Sequence, residues 1–273
     1  MRSNKSTLGA SVSKYDVIAK AFNVLDVATP ITHYAKPKEH LQHIWERVDD
    51  EWFIVVRDER KIHGYLAVDD DAFNNPITGD AQSNASQITP DITVPGTMPI
   101  LDLVPLFESN YFYFVLTSNN ITHVVSFNDL DSLPMKLCLF SLFMELEAAM
   151  LQLFILKGPK TDVYLNLLPE DRIAKAKDLC GKKYPKFDGK VDPAKLILCT
   201  TLIDKITMLS KSDVYKILNF PSKNKLHSFF HLVEKTRNQI AHGDSILSMF
   251  EEPGELNNLI VELKRILAII QTA

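Results

Sequence analysis

The residues best suited to chemistry lie near the end of one amphipathic stretch, Ser222–His242. Leu226, Phe230, Val233 and Ile240 recur at helical spacing as a core-facing stripe, and Arg237 falls on that stripe. A guanidinium is costly to bury without a partner. A second face carries His227, His231, Glu234, Asn238 and His242. Gly243 directly after His242 is a helix stop signal, so the histidine is expected in the last turn. There the helix dipole favours a cation, which suits an imidazole that must hold and pass a proton. Two readings follow. In one, Arg237 and His242, with Asn238 a turn before the histidine, hold an anion and move a proton. In the other, Arg237 pairs with a neighbouring carboxylate and His242 merely ends the helix.

Other constellations are weaker. His227 and His231 stand at i and i+4, a spacing that can share a metal, but no third ligand is evident and Glu234 alone would not complete a zinc site. Cys138, Cys180 and Cys199 sit among apolar or helical residues and read as buried small hydrophobes. The chain carries no P-loop, dinucleotide fingerprint or Ser-His-Asp pattern. No metal site is expected.

The elements that must position these residues form two halves, residues 1–132 and 133–273, and the fold class is α+β. The first half reads as a doubled β-α-β-β unit. In the first copy Ile31–Ala35 is a short strand, Pro37 opens a helix, and Trp52–Val56 and Gly64–Val68 make a hairpin. Asn74–Ser86, rich in Asn, Ser, Gly and Pro, reads as a flexible linker. The second copy follows as strand Ile92–Val94, a helix opened by Pro99, and strands Tyr111–Leu116 and Ile121–Phe127 around an Asn119–Asn120 turn. After Leu133 the period changes to that of helices. Expected are Leu133–Leu156, Glu170–Cys180, Pro193–Leu209, Asp213–Leu218, Ser222–His242 and Glu255–Gln271, packed as a bundle.

Thr29–Pro30–Ile31 and Thr89–Pro90–Asp91–Ile92–Thr93–Val94 resemble the openings of the two copies of a CBS domain pair, the Bateman-type module. Val124–Val125–Ser126–Phe127–Asn128–Asp129 is similar to that family's closing motif. The resemblance implies that an adenosine nucleotide, AMP-like or ATP-like, binds between the copies as a regulatory ligand. Ser126 would then contact phosphate, and Asp129 the ribose hydroxyls. In the first copy Asp70 keeps the acidic position while Ala67 stands where Ser or Thr is expected. Ser126 and Asp129 are also natural starts for a following helix.

Arg237–Asn238–Gln239–Ile240–Ala241–His242–Gly243 resembles the signature of the HEPN family, whose members are helical bundles. That resemblance implies a homodimer in which two such motifs face one cleft, and a metal-independent endoribonuclease acting on RNA. His242 would serve as general base or acid and Arg237 would neutralise the phosphate, with Asn238 orienting either group. Products would be a 2′,3′-cyclic phosphate and a 5′-hydroxyl, with no cofactor required for catalysis. The alternative is a non-catalytic adenine-nucleotide sensor whose helical half only dimerises or recruits a partner. A toxin of the type paired with a nucleotidyltransferase would carry Tyr where Asp244 stands, so that reading is disfavoured.

Bulk properties bound these readings. Hydrophobic content is 46% and charged content 23%, both globular values. Residues 1–155 hold 11 basic and 20 acidic side chains, whereas residues 156–273 hold 19 and 14. Those balances, −9 and +5, sum to the net −4 of the chain and point any polyanion toward the helical half, although ordinary solvated lysine faces would give the same modest excess. RNA, and not DNA, is what the HEPN resemblance implies. The first twenty residues contain no apolar stretch of the secretory kind. Leu133–Leu156 is long enough to span a bilayer, but Glu145 and Glu147 near its middle argue for burial inside protein. A cytoplasmic protein without membrane contact is expected.

Overall fold

The computed structural model describes residues 17–18, 20–46, 53–59, 61–67, 78–157, 161–185, 192–250 and 252–272. The fold is mixed α+β, with small sheets in the N-terminal part and helices in the C-terminal part. The chain divides into two compact units. One is Asn23–Leu130; the other runs from Asp131 onward and takes in the described residues before Asn23.

In the first unit a three-stranded sheet contains β2 (Tyr34–Ala35), β3 (Phe53–Arg57) and β4 (Ile62–Ala67), with β2 parallel and β4 antiparallel to the central β3. A four-stranded sheet repeats that arrangement with β5 (Thr93–Pro95), β6 (Phe112–Thr117) and β7 (Asn120–Ser126), β5 parallel and β7 antiparallel to β6. Each copy carries a short helix between its first two strands, α1 (Leu41–Trp45) and α3 (Ile100–Leu103). The fourth strand of the larger sheet is β1 (Thr29–Pro30), which belongs to the first copy yet pairs antiparallel with β7 of the second. The expected single strand Ile31–Ala35 is therefore two pieces in two sheets. Residues 31–33 are the crossing between them.

Three other local expectations are corrected. Pro37 does not open a helix: Lys36–Glu39 is a turn in which Glu39 Oε2 accepts from the Lys36 N–H, and α1 starts at Leu41. The second hairpin turns one residue early, on Ser118 and Asn119, both with positive φ as a two-residue turn of this twist demands. The segment read as a flexible linker is folded in its second half. Asp80 caps α2 (Ala81–Asn84) by accepting from the Ser83 N–H at 2.8 Å, and Ala81 enters the core with Ala35, Leu41, Ile44, Ile54, Val56 and Leu66. Ser86 bridges Tyr65 across two backbone hydrogen bonds. Residues 74–77 of that segment lie outside the described residues, as do Trp52 and Val68.

The helical unit is built on α4 (Leu133–Gln152), which continues as a wider π turn over Leu153–Lys157. The helix is apolar on nearly all sides because nearly all sides are packed, with Met135, Cys138, Leu139, Leu142, Phe143, Leu146 and Met150 buried. It is the one described helix long and apolar enough to cross a membrane, and 61% of its apolar window is buried, as in the core helix of a soluble protein. Its two carboxylates are answered from inside the unit: Gln271 donates to Glu145 at 3.1 Å, and Lys205 to Glu147 at 2.8 Å.

Around α4 lie α5 (Thr161–Leu165), α6 (Glu170–Lys183), α7 (Pro193–Ile197), α8 (Leu202–Lys211), α9 (Val214–Ile217), α10 (Lys223–His242) and α11 (Pro253–Thr272). The expected helix Pro193–Leu209 is broken into α7 and α8. Thr201 starts a new helix with a capping box, accepting from the Asp204 N–H while Asp204 accepts from the Thr201 N–H at 2.9 Å. A Thr followed three residues later by an acid is the local signal for that break. Helices α10 and α11 both pack on α4, and α8 packs on α10.

Candidate functional site

Helix α10 begins at Ser222, whose hydroxyl accepts from the Lys225 N–H at 3.2 Å. Leu226, Phe230, Val233 and Thr236 are its buried face. Arg237 and Ile240, expected on that face, sit half-buried at its edge. The helix ends where the stop signal places it. Gly243 adopts φ 80° and donates to Ile240 O at 3.1 Å, and the Asp244 N–H donates to Gln239 O at 3.0 Å, a Schellman closure. His242 is thus the last helical residue, exposed, and without a hydrogen-bond or ion-pair partner among the described residues.

Arg237 makes one weak hydrogen bond, from Nη1 to Asn238 Oδ1 at 3.4 Å. Among the described residues no carboxylate lies within ion-pair distance of it. Exposed along α10 are His227, His231, Lys235, Asn238 and His242. His227 and His231 lie with ring centroids 6.2 Å apart, and His231 Nδ1 is 3.5 Å from Glu234 Oε2. Among the described residues, no three His, Cys, Asp or Glu side chains converge as a metal site would require.

The backbone just beyond His242 is held from a distance. Asp131 Oδ1 accepts from the Ile246 N–H at 3.0 Å and from Lys136 Nζ at 3.0 Å. Burial pushes the Asp131 carboxyl up, but hydrogen bonds from Ser245, Ile246 and Lys136 outweigh it and hold the carboxyl below its ordinary range. Sequence reasoning missed Asp131. No local spacing marks it, because its partner is 115 positions away.

The second candidate site is a cavity of about 310 Å³ inside the β-rich unit. The crossing residues Ile31, Thr32 and His33 form one wall, with Thr29 and Pro30; Phe53, Phe112, Val124, Ser126 and Asp129 line the rest. The rings of Phe53 and Phe112 stack nearly parallel, 9° apart with centroids at 5.6 Å, where the two sheets face each other. Ser126 and Asp129, singled out in the sequence, therefore meet at one cavity. They also bond to each other: the Ser126 N–H and hydroxyl both donate to Asp129 Oδ2, at 2.6 and 2.8 Å, at the start of the helical turn Phe127–Leu130. Asp70 lies outside the described residues. The lining residues Thr32, His33, Phe53 and Phe112 were not anticipated, since they converge only through the strand crossing and the facing of two sheets.

The chain matches no model of a known protein family and none of the curated proteins with which it was compared.

Proposed function

We propose that this chain is a homodimeric, metal-independent endoribonuclease of the HEPN type, regulated by an adenosine-class ligand bound in a CBS-type N-terminal unit, and working in the cytoplasm. The observation that carries the reading is the presence at one helix end of a guanidinium, Arg237, and an exposed imidazole, His242, neither with a charged partner among the described residues. A guanidinium not engaged by a carboxylate has its planar donor fork free for a phosphate. His242 would take the proton of the RNA 2′-hydroxyl or give one to the leaving 5′-oxygen. Arg237 would neutralise charge growing on the phosphorane. Asn238 would hold the phosphate or the imidazole. One chain supplies one histidine, so the second acid–base group would come from a second copy across the dimer axis.

Regulation would follow if the ligand bound the two arrangements of the dimer with different affinity; equal affinity would shift nothing. The decisive experiment is incubation of the purified protein with 5′-labelled RNA of mixed sequence in EDTA, beside His242→Ala. Cleavage leaving 2′,3′-cyclic phosphate ends, lost in the variant, is the expected result. Cleavage that survives both Arg237→Ala and His242→Ala would exclude this site. Absence of cleavage in every condition, with AMP and ATP included, would leave the helical unit as a dimerising or partner-binding element.

A further inference from the structure

The cavity between the two sheets carries a polarity that the family resemblance does not predict. Among the described residues its lining holds one carboxylate, Asp129, one imidazole, His33, and neither lysine nor arginine. Phosphate recognition needs donors or cations aimed at the anion. Ser126, the residue the resemblance would assign to phosphate, has already committed its hydroxyl hydrogen and its backbone N–H to Asp129 Oδ2. The same two bonds fix that carboxylate in place and leave Oδ1 without a partner among the described residues. A fixed, unspent carboxylate oxygen selects a hydrogen-bond donor and repels an anion. Thr29 and Thr32 add two neutral hydroxyls, and the rest of the described lining, Pro30, Ile31, Phe53, Phe112 and Val124, is apolar or aromatic and suits a flat ring. The volume lies at the lower end of the roughly 300–1,000 Å³ usual for small-molecule sites, room for a compact ligand.

We infer that the cavity recognises an unphosphorylated nucleoside, with a sugar hydroxyl donating to Asp129 Oδ1 and the base against the Phe53 and Phe112 rings, and that each added phosphate weakens binding. This rests on the proposal that the N-terminal unit is an adenosine-class sensor, and it narrows the ligand from nucleotide to nucleoside. Ser126 is then a positioning residue, acting on the ligand through Asp129.

Calorimetric titration of the full chain with adenosine, AMP, ADP and ATP at one ionic strength tests it. Expected is the tightest binding for adenosine and a loss of about tenfold or more by ATP, from like-charge repulsion in a partly enclosed site. Thr32→Lys, at an exposed lining position, should reverse the order by supplying the missing cation. In Ser126→Ala the ratio of adenosine to AMP affinity should stay as in the parent chain, because no phosphate contact is removed. AMP or ATP binding more tightly than adenosine to the parent chain overturns the inference and leaves the sensor proposal standing. So does a Ser126→Ala defect confined to the phosphorylated ligands. If none of the four binds, the adenosine-class reading of the cavity falls with it.

Discussion

Asp131 and Ile246 stand 115 positions apart in sequence and 3.0 Å apart in space, joined by a backbone N–H donating to Oδ1. The bond places a fixed carboxylate under the chain that leaves the His242 end of α10. The backbone that leaves α10 after His242 is thereby anchored to a residue at the start of the helical unit. Asp131→Ala removes the acceptor of Ser245, Ile246 and Lys136, costing about 1–3 kcal/mol in chemical denaturation. Cleavage in the RNA assay should fall by up to about a hundredfold, the size expected when a catalytic group is misplaced by an ångström. Full cleavage activity in a folded Asp131→Ala protein would remove Asp131 from the positioning role.

Asp131 and Asp204 should together make the helical unit sensitive to acid. Burial raises the Asp204 carboxyl, but the Arg172 guanidinium at 2.6 Å and the Thr201 hydrogen bonds hold it below its ordinary range. A carboxyl lowered in the folded state contributes stability that is present above its unfolded value, about 3.9. That contribution is lost as pH falls through the folded value. Urea midpoints measured from pH 6 down to about pH 3 should fall for the parent chain. The fall should be shallower in Asp204→Asn, which is less stable at pH 6 and has less left to lose.

Lys205 is buried, and its ammonium donates to Glu147 at 2.8 Å and to Thr200 O at 2.7 Å. Glu147→Gln leaves that cation without a counter-charge and should destabilise the protein by about 3–5 kcal/mol. The double variant Glu147→Leu, Lys205→Met should cost much less, because no buried charge remains. A double-variant cost equal to the sum of the two singles would contradict this account.

Two glycines with equally open space where a methyl group would sit should respond oppositely to alanine. At Gly181, inside α6, an added Cβ meets no atom within 4 Å, and Ala should stabilise by roughly 0.5–1 kcal/mol. At Gly243 the space is equally open, but φ is 80°. Alanine there should cost about 1 kcal/mol and fray the turn carrying His242. Thermal melts of both variants, with RNA cleavage of the second, read the contrast directly.

Arg237→Ala and His242→Ala should melt within about 1 kcal/mol of the parent, since Arg237 is only half-buried, His242 is exposed, and neither is ion-paired among the described residues. Arg237→Lys keeps the charge and loses the two-pronged geometry, so it should restore little cleavage. A large loss of stability in either alanine variant would mean that these residues serve the fold.

Much of this protein is legible in one dimension, because the signals are local. The short apolar runs in Phe53–Arg57 and Phe112–Thr117, the helical period in Lys223–His242, and the glycine after His242 each report on backbone within a few residues of themselves. They mark the doubled β-α-β-β unit, the helical remainder and the position of His242 at a helix end. The Thr201–Asp204 capping box is equally local, but a continuous apolar pattern running through it hides the break.

Tertiary structure decided what depends on distant partners. Whether Arg237 has a carboxylate neighbour, which sheet receives Thr29–Pro30, and that Phe53 and Phe112 stack are settled by packing between segments that share no local signal. The same holds for Ser126 and Asp129. Sequence marked both residues by a three-residue spacing that serves a ligand or a helical turn equally well. Only the folded chain showed that they bond to each other and still face a cavity, because hydrogen-bond directions are set by coordinates and not by residue order.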